Sequence, residues 1–352
     1  MNPRRPWDVV QQLKAGLLRP HQEVIDQLVR AVQHHQDVPI RRGPVRQMHT
    51  NFRRHLLGVA LGRKLGRTAP PISLLVPLRP ILSLVPLDQG VLVTARRLLA
   101  DLNAAPLAAL QASVAGGGPV LAIVSCQPQL AHSQATLHAF ADWAAAGWGQ
   151  PLIVVGDAAL PDWRFEFCPE RRLLRLPADD AYEGLPAKLI TLQWVLSLLP
   201  TPPALLKMDD DAQPGDPGAL QQLLAELGAG APAAAGYPIF IPSPLHLDRA
   251  WHIGKTARTD LRPFDSLGAT RWMSGGAGYL LNSPAVRLLG DFALHSWGFV
   301  ESMLYEDICV SLLLQAGGAR FQWLDDPREL GIGSERQREI DAGQWRVPEH
   351  LR

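Results

Sequence analysis

From Pro119 to Met208 the chain repeats one pattern: a short apolar run, a polar break, a stretch with helical spacing, then another apolar run. Unbroken apolar runs of about 4–8 residues suit strands buried on both faces, and the helical stretches between them are the crossovers that parallel strands require. The pattern predicts an α/β sheet with flanking helices. Pro119 to Ser125, Pro151 to Gly156, Leu173 to Leu176 and Ala204 to Met208 read as strands, and Ser133 to Ala146 as one helix. Leu185, Leu189, Leu192, Val195, Leu196 and Leu199 share one face of a further helix, which Pro200, Pro202 and Pro203 stop. Later, Ala233 to Ile241 reads as extended, Gly278 to Leu281 as a strand, and Ile308 to Leu314 as a helix closed by Gly317 and Gly318.

The chain before this region has another character. Val9 to Leu18, Val24 to Val32 and Leu92 to Leu110 carry helical spacing, strand signals are sparse, and a Pro-rich stretch from Pro70 to Pro86 divides them. Gly116, Gly117 and Gly118 then read as a hinge, so the expected division is a mostly helical extension over 1–115 and an α/β domain over 116–352. A length of 352 residues allows one or two domains, and 47% hydrophobic with 19% charged residues fits a globular chain better than a disordered one.

The net charge of +1 argues against nucleic-acid binding by the whole molecule, yet residues 1–68 hold thirteen Lys or Arg against four Asp or Glu. That segment reads either as a contact for anionic lipid, an acidic polymer or an acidic assembly partner, or as a solvated helical face. Cys126, Cys168 and Cys309 are too few and too scattered for a disulfide framework or a zinc site, and read as reduced thiols. The longest apolar candidate, Ile72 to Leu87, is broken by Pro77, Arg79, Pro80 and Pro86, and the first residues lack the apolar stretch of a signal peptide. The expected location is the cytoplasm, with the basic segment offering attachment to the inner membrane face.

The strand Ala204 to Met208 runs straight into Asp209, Asp210 and Asp211. Three adjacent carboxylates repel one another and need a counter-charge if they are enclosed. A hard divalent cation held by one or two carboxylates and substrate phosphates meets that need, with Mg²⁺ or Mn²⁺ as the natural ions. If the chain stays extended, Asp209 and Asp211 share a face and Asp210 takes the other. An exposed acidic turn before Pro214 and Gly215 is the competing reading. In open α/β sheets ligands collect beyond the carboxyl ends of the strands, where this triplet would stand.

Around the triplet the sequence resembles the inverting β1,3-glycosyltransferases of glycosyltransferase family 31. Asp180, Tyr182, Glu183, Gly184, Leu185, Pro186, Lys188 and Trp194, followed by Lys207, Met208, Asp209, Asp210 and Asp211, stand in the order and spacing of that family's acidic-Tyr run and Lys-x-Asp-Asp-Asp strand end. Trp272 to Leu281 is similar to its Gly-Gly-x-Tyr segment, and Tyr305 to Val310 to its Glu-Asp block, so the likeness spans residues 119–320. The resemblance implies a GT-A fold, a Rossmann-like mixed sheet with flanking helices, and inverting transfer of a sugar from a UDP-linked donor to a carbohydrate hydroxyl. It implies Mn²⁺, or Mg²⁺, on Asp209 and Asp211, with Asp307 as the base and Glu306 orienting a hydroxyl. Gly275 and Gly276 would border the donor, Asp209 and Asp210 would contact it, Lys188 would reach a phosphate, and Ser125 would lie near the uracil.

Plainer readings accompany each of these. Glu306 and Asp307 also suit a helix N-terminus, where the macrodipole favours acids. The glycines suit a tight turn, and Lys188 a solvated lysine. The pattern also departs from the family: Ser133 to Trp143 holds no arginine, and after the Glu-Asp block the only histidine available to complete a metal shell is His350, two residues from the end. A metal-dependent nucleotidyltransferase, or a carbohydrate-binding or scaffold protein without turnover, are the rival functions.

Overall fold

The computed structural model describes residues 89–161, 163–240, 271–295, 297, 300, 303 and 305–334. The expected helices before residue 89, the Pro-rich stretch, the basic segment and His350 lie outside the described residues. In chain order the elements are α1 (Gln89–Leu102), α2 (Ala104–Val114), β1 (Val120–Val124), α3 (Leu130–Ala139), α4 (Ala141–Ala145), β2 (Gln150–Gly156), β3 (Glu166–Cys168), β4 (Leu173–Leu176), α5 (Leu185–Ser197), β5 (Leu205–Asp209), β6 (Ala212–Pro214), α6 (Pro217–Leu227), β7 (Ala233–Gly236), β8 (Pro238–Phe240), β9 (Arg271–Met273), β10 (Tyr279–Leu281), α7 (Ser283–His295), α8 (Glu306–Ala316), β11 (Arg320–Trp323) and β12 (Ile332–Ser334).

Eight strands form one mixed sheet in the order β11-β7-β10-β5-β1-β2-β4-β3, and the pairs β12-β6 and β8-β9 stand apart from it. The strands β5, β1, β2 and β4 are mutually parallel, β10 runs against both β5 and β7, and β11 runs parallel to β7. This is a Rossmann-like α/β fold. Every residue of β1 and β2 is buried, as expected of central strands covered on both faces.

The alternation of strand side chains sorts the core into two layers. Val120, Ala122 and Val124 of β1 face the side packed by α1, α2, α5, α7 and α8. Leu121 and Ile123 face the side of α3, α4 and α6. On β5 the same rule sends Leu206 and Met208 toward α6, and Leu205, Lys207 and Asp209 toward α8. Helix α5 opens with Pro186 in its first turn and is buried from Leu189 through Ser197, because α7 covers the side that the sheet does not. The apolar face read from its leucines is therefore part of a helix enclosed all round.

Three expectations are corrected in detail. The helix expected over 133–146 is two, α3 and α4, broken at Phe140, whose ring is wholly buried against Trp143 at a centroid distance of 5.2 Å. The extended stretch from Ala233 divides at Tyr237 into β7 and β8, and Ile241 lies outside the described residues. The triglycine read as a hinge forms a tight turn. Gly118 has φ +73°, and a side chain there would meet the backbone of Gly147 at 2.9 Å. Leu99 and Leu110, before that turn, join the same core layer as β1 and α5, so the core crosses the boundary expected at residue 115.

Candidate active site

The order of the sheet decides where a ligand cleft forms. From β1 the chain goes outward through β2 to β4, then returns to lay β5 on the other flank of β1, so the direction of winding reverses between β1 and β5. Beyond such a reversal the crossovers diverge and leave a crevice at the carboxyl ends. Val124 is paired with Asp209, so Ser125 on one side and Asp210 with Asp211 on the other follow at the carboxyl ends where the winding reverses.

Strand β5 ends at Asp209, and Asp210 with Asp211 form a two-residue turn into β6. Extended alternation therefore does not continue through the triplet, and the side chains diverge. All three residues are half-buried. Lys207 Nζ donates to Asp209 Oδ1 at 2.5 Å, while Ser125 Oγ donates to Asp210 Oδ2 at 2.8 Å from the opposite side.

Lys207 is the centre of the site, although in the sequence it reads only as part of a strand end. Its ammonium also donates to Gly275 O at 2.7 Å and lies 3.3 Å from Glu306 Oε1, with its side chain 4% exposed. Burial alone would lower its affinity for a proton, but the carboxylates of Asp209 and Glu306 overcome that and hold it above the ordinary lysine value. On β10, Tyr279 pairs with Lys207 across the strands, and its hydroxyl donates to Glu306 Oε2 at 3.0 Å. Burial, then the charge and hydrogen bond of Glu306, push the Tyr279 phenol well above its usual range.

Glu306 and Asp307 open α8, as expected from sequence, but they are more than dipole partners. Glu306 has both oxygens engaged by Lys207 and Tyr279. Asp307 instead takes backbone hydrogens, from Gly275 N at 3.3 Å and Ile308 N at 2.9 Å. Its carboxyl is pushed up to about 7, by burial first and by the adjacent Glu306 second, against the pull of those N–H groups and of Lys207. Tyr182, in the sequence only part of the acidic-Tyr run, is a further member of the site. Burial raises its phenol well above the ordinary value, and the charges of Asp307, Glu306 and Asp209 add to the shift.

The glycine loop between β9 and β10 fits against these acids. A side chain on Gly275 would meet Glu306 Oε1 at 2.3 Å, and Gly278, with φ +85°, would meet Lys207 O at 2.7 Å. Gly276 differs, being exposed, with Asp209 Oδ2 at 4.0 Å the nearest atom to a side chain placed there. Gly275 thus stands beside Glu306 and Asp307, and Gly276 beside Asp209.

Lys188 does not reach outward to a phosphate. It is 1% exposed, because α5 is enclosed, and its ammonium donates to Ser125 O at 2.8 Å and Asp180 Oδ1 at 2.7 Å. Asp180 completes a clasp over the ends of β1 and β2 by accepting from Gly156 N at 2.6 Å and Gln127 N at 2.5 Å. Lys188 therefore shapes the floor near Ser125.

Among the described residues no group of three or more His, Cys, Asp and Glu is arranged to hold a metal ion. A closed protein cage is thus not what these residues offer. Half-buried, hard carboxylate donors on a turn do fit an ion whose shell is completed by substrate phosphates. All three cysteines are free thiols, and among the described residues no helix is long and apolar enough to cross a membrane. Compared with known proteins, the chain matches no family model and no curated protein.

Proposed function

We propose that this chain is an inverting, metal-dependent glycosyltransferase with a GT-A fold, moving a sugar from a UDP-linked donor to a carbohydrate hydroxyl. The observation that carries the reading is the unequal treatment of two adjacent acids. Glu306 is tied on both oxygens to Lys207 and Tyr279, while Asp307 accepts from the backbone N–H groups of Gly275 and Ile308 and has its carboxyl pushed up by burial and by Glu306. A carboxylate of that strength, beside a strand-end acid turn and an open glycine, suits removal of a proton from an attacking hydroxyl at neutral pH. The mixed sheet, with β10 reversed beside the acid turn, supports the fold assignment.

In the proposed step the acceptor oxygen forms a bond to the anomeric carbon from the face opposite the phosphate. The carbon–oxygen bond to the diphosphate breaks with its electron pair leaving on the nucleotide, and the hydroxyl proton passes to Asp307. Asp211 and Asp209 would hold a divalent cation, Mn²⁺ or Mg²⁺, which supplies charge neutralisation for the leaving diphosphate when bound. Glu306, fixed by Lys207 and Tyr279, holds the start of α8 against the glycine loop, and so fixes the direction from which Asp307 meets the acceptor. Proximity of this kind contributes through orientation. The charge excess of residues 1–68 supports a contact with anionic lipid or an acidic partner at the inner membrane face, which sedimentation with anionic vesicles tests.

Incubation with Mn²⁺ and a panel of nucleotide sugars, with and without short oligosaccharides, tests the activity. Release of intact UDP with the sugar on an acceptor or in water is the expected result. Pyrophosphate release would establish nucleotidyl transfer instead, and absence of turnover with every donor would leave a binding protein.

A further inference from the structure

Residue 210 is gripped twice from one side. Ser125 Oγ donates to Asp210 Oδ2 at 2.8 Å, and Ser133 Oγ donates to Ser125 Oγ at 2.6 Å. Thr136 Oγ1 donates to the backbone oxygen of Asp210. Ser133 and Thr136 lie three residues apart on α3 and so share a face. Ser125, Ser133 and Thr136 are 7%, 0% and 2% exposed, so water does not replace a partner that is lost. Asp209 leans the other way, to Lys207.

We infer that Asp210 is a positioning residue: it pins the acid turn to α3 through Ser125 and Thr136, and it sets where Asp209 and Asp211 stand without itself ligating a cation or a nucleotide. The assignment rests on the proposed reading of this site as one for a cation and a nucleotide diphosphate. Neighbouring carboxylates at the tip of a two-residue turn repel one another, and a turn held only at its ends would splay. Anchoring the middle residue by both side chain and backbone resists that. A hydroxyl donor is satisfied by an amide oxygen as well as by a carboxylate, so the pin needs an acceptor of this shape and not a charge. A ligand to a divalent cation needs the charge.

The test is binding of UDP by the full-length protein in the presence of MnCl₂, measured by calorimetry, with unfolding temperatures of the metal-free proteins as the folding control. Asp210→Asn is expected to bind within about threefold of wild type, while Asp210→Ala and Ser125→Ala weaken binding about tenfold or more, and Asp211→Asn about a hundredfold. These steps correspond to about 0.7, 1.4 and 2.7 kcal/mol. Recovery by the amide separates positioning from ligation. Asp210→Asn as weak as Asp211→Asn would make Asp210 a ligand, and Asp210→Ala equal to wild type would remove any role; either overturns the assignment while the site reading stands. A wild type that takes up no UDP with Mn²⁺ would instead overturn the site reading, and this assignment with it. If Asp210→Ala does not fold, Ser125→Ala decides in its place: binding equal to wild type in that variant would remove the role.

Discussion

Lys207 Nζ donates to Asp209 Oδ1 across 2.5 Å, from two residues upstream on the same face of the same strand. That contact joins the strand-end acid turn to the acids of α8, since the same ammonium also meets Glu306. Replacing Lys207 with Met strands the Glu306 carboxylate in a buried setting without its cation. Removing one partner of a buried pair costs about 3–5 kcal/mol, and a value toward the lower end is expected because Asp209 is half-exposed. Urea unfolding measures it, and a loss below about 1 kcal/mol would show that the contact contributes no more than a surface pair.

Tyr279→Phe removes the hydroxyl that donates to Glu306 Oε2 and leaves the ring in place. An unsatisfied buried acceptor costs about 1–3 kcal/mol. The transfer rate is expected to fall as well, because Glu306 and with it the start of α8 lose one of two restraints. Unchanged stability together with an unchanged rate would contradict the arrangement drawn for Glu306.

Gly275 and Gly276 are expected to respond unequally to Ala. At Gly275 the new methyl meets Glu306 Oε1 at 2.3 Å and Asp307 Cβ at 3.3 Å, so the acids must shift, at about 1–3 kcal/mol. At Gly276 it enters open space, so stability should change by less than about 0.5 kcal/mol. Thermal unfolding of the two variants side by side checks the contrast, and equal losses would disprove it.

The pH dependence follows from Asp307. Because its carboxyl in the folded protein is raised from an ordinary value of 3.8 to about 7, the folded state holds a proton there that the unfolded chain has released. The contribution of this group to stability is full below about 4 and is lost as pH rises through about 7. Transfer runs the other way, since the base must be unprotonated, and the rate should climb about tenfold per pH unit before levelling near 7. Asp307→Asn is expected to remove the rate by about 10²-fold or more, and its stability relative to wild type should improve between pH 4 and 7. Urea unfolding curves at several pH values provide the check; a constant difference across that window would refute the raised value.

Much of the sheet is legible in the sequence because its central strands are buried on both faces. Leu173 to Leu176 matches β4 end for end, and β1, β2 and β5 differ from the reading by a residue or so at their ends. The strands that escape notice, β3, β6, β9, β11 and β12, have three or four residues and carry mixed burial, so no run or alternation marks them. Asp209, Asp210, Asp211, Glu306, Asp307, Gly275 and Gly276 do gather around one end of the sheet. Lys188 faces inward, to Ser125 O and Asp180, because the helix that carries it is enclosed, and Ser125, just after β1, turns its hydroxyl to Asp210. Lys207 and Tyr279 acquire their roles only through strand pairing between segments seventy-two residues apart in sequence.

The turn at Gly116–Gly118 has a practical consequence for anyone shortening this protein. Leu92, Leu99, Leu107 and Leu110 complete the core layer beneath α5, and Arg172 Nη2 donates to Ser113 O at 3.2 Å across the same seam. A fragment begun at residue 116 would bare that greasy underside to solvent and be prone to clump, whereas one begun ahead of Gln89 keeps its lining.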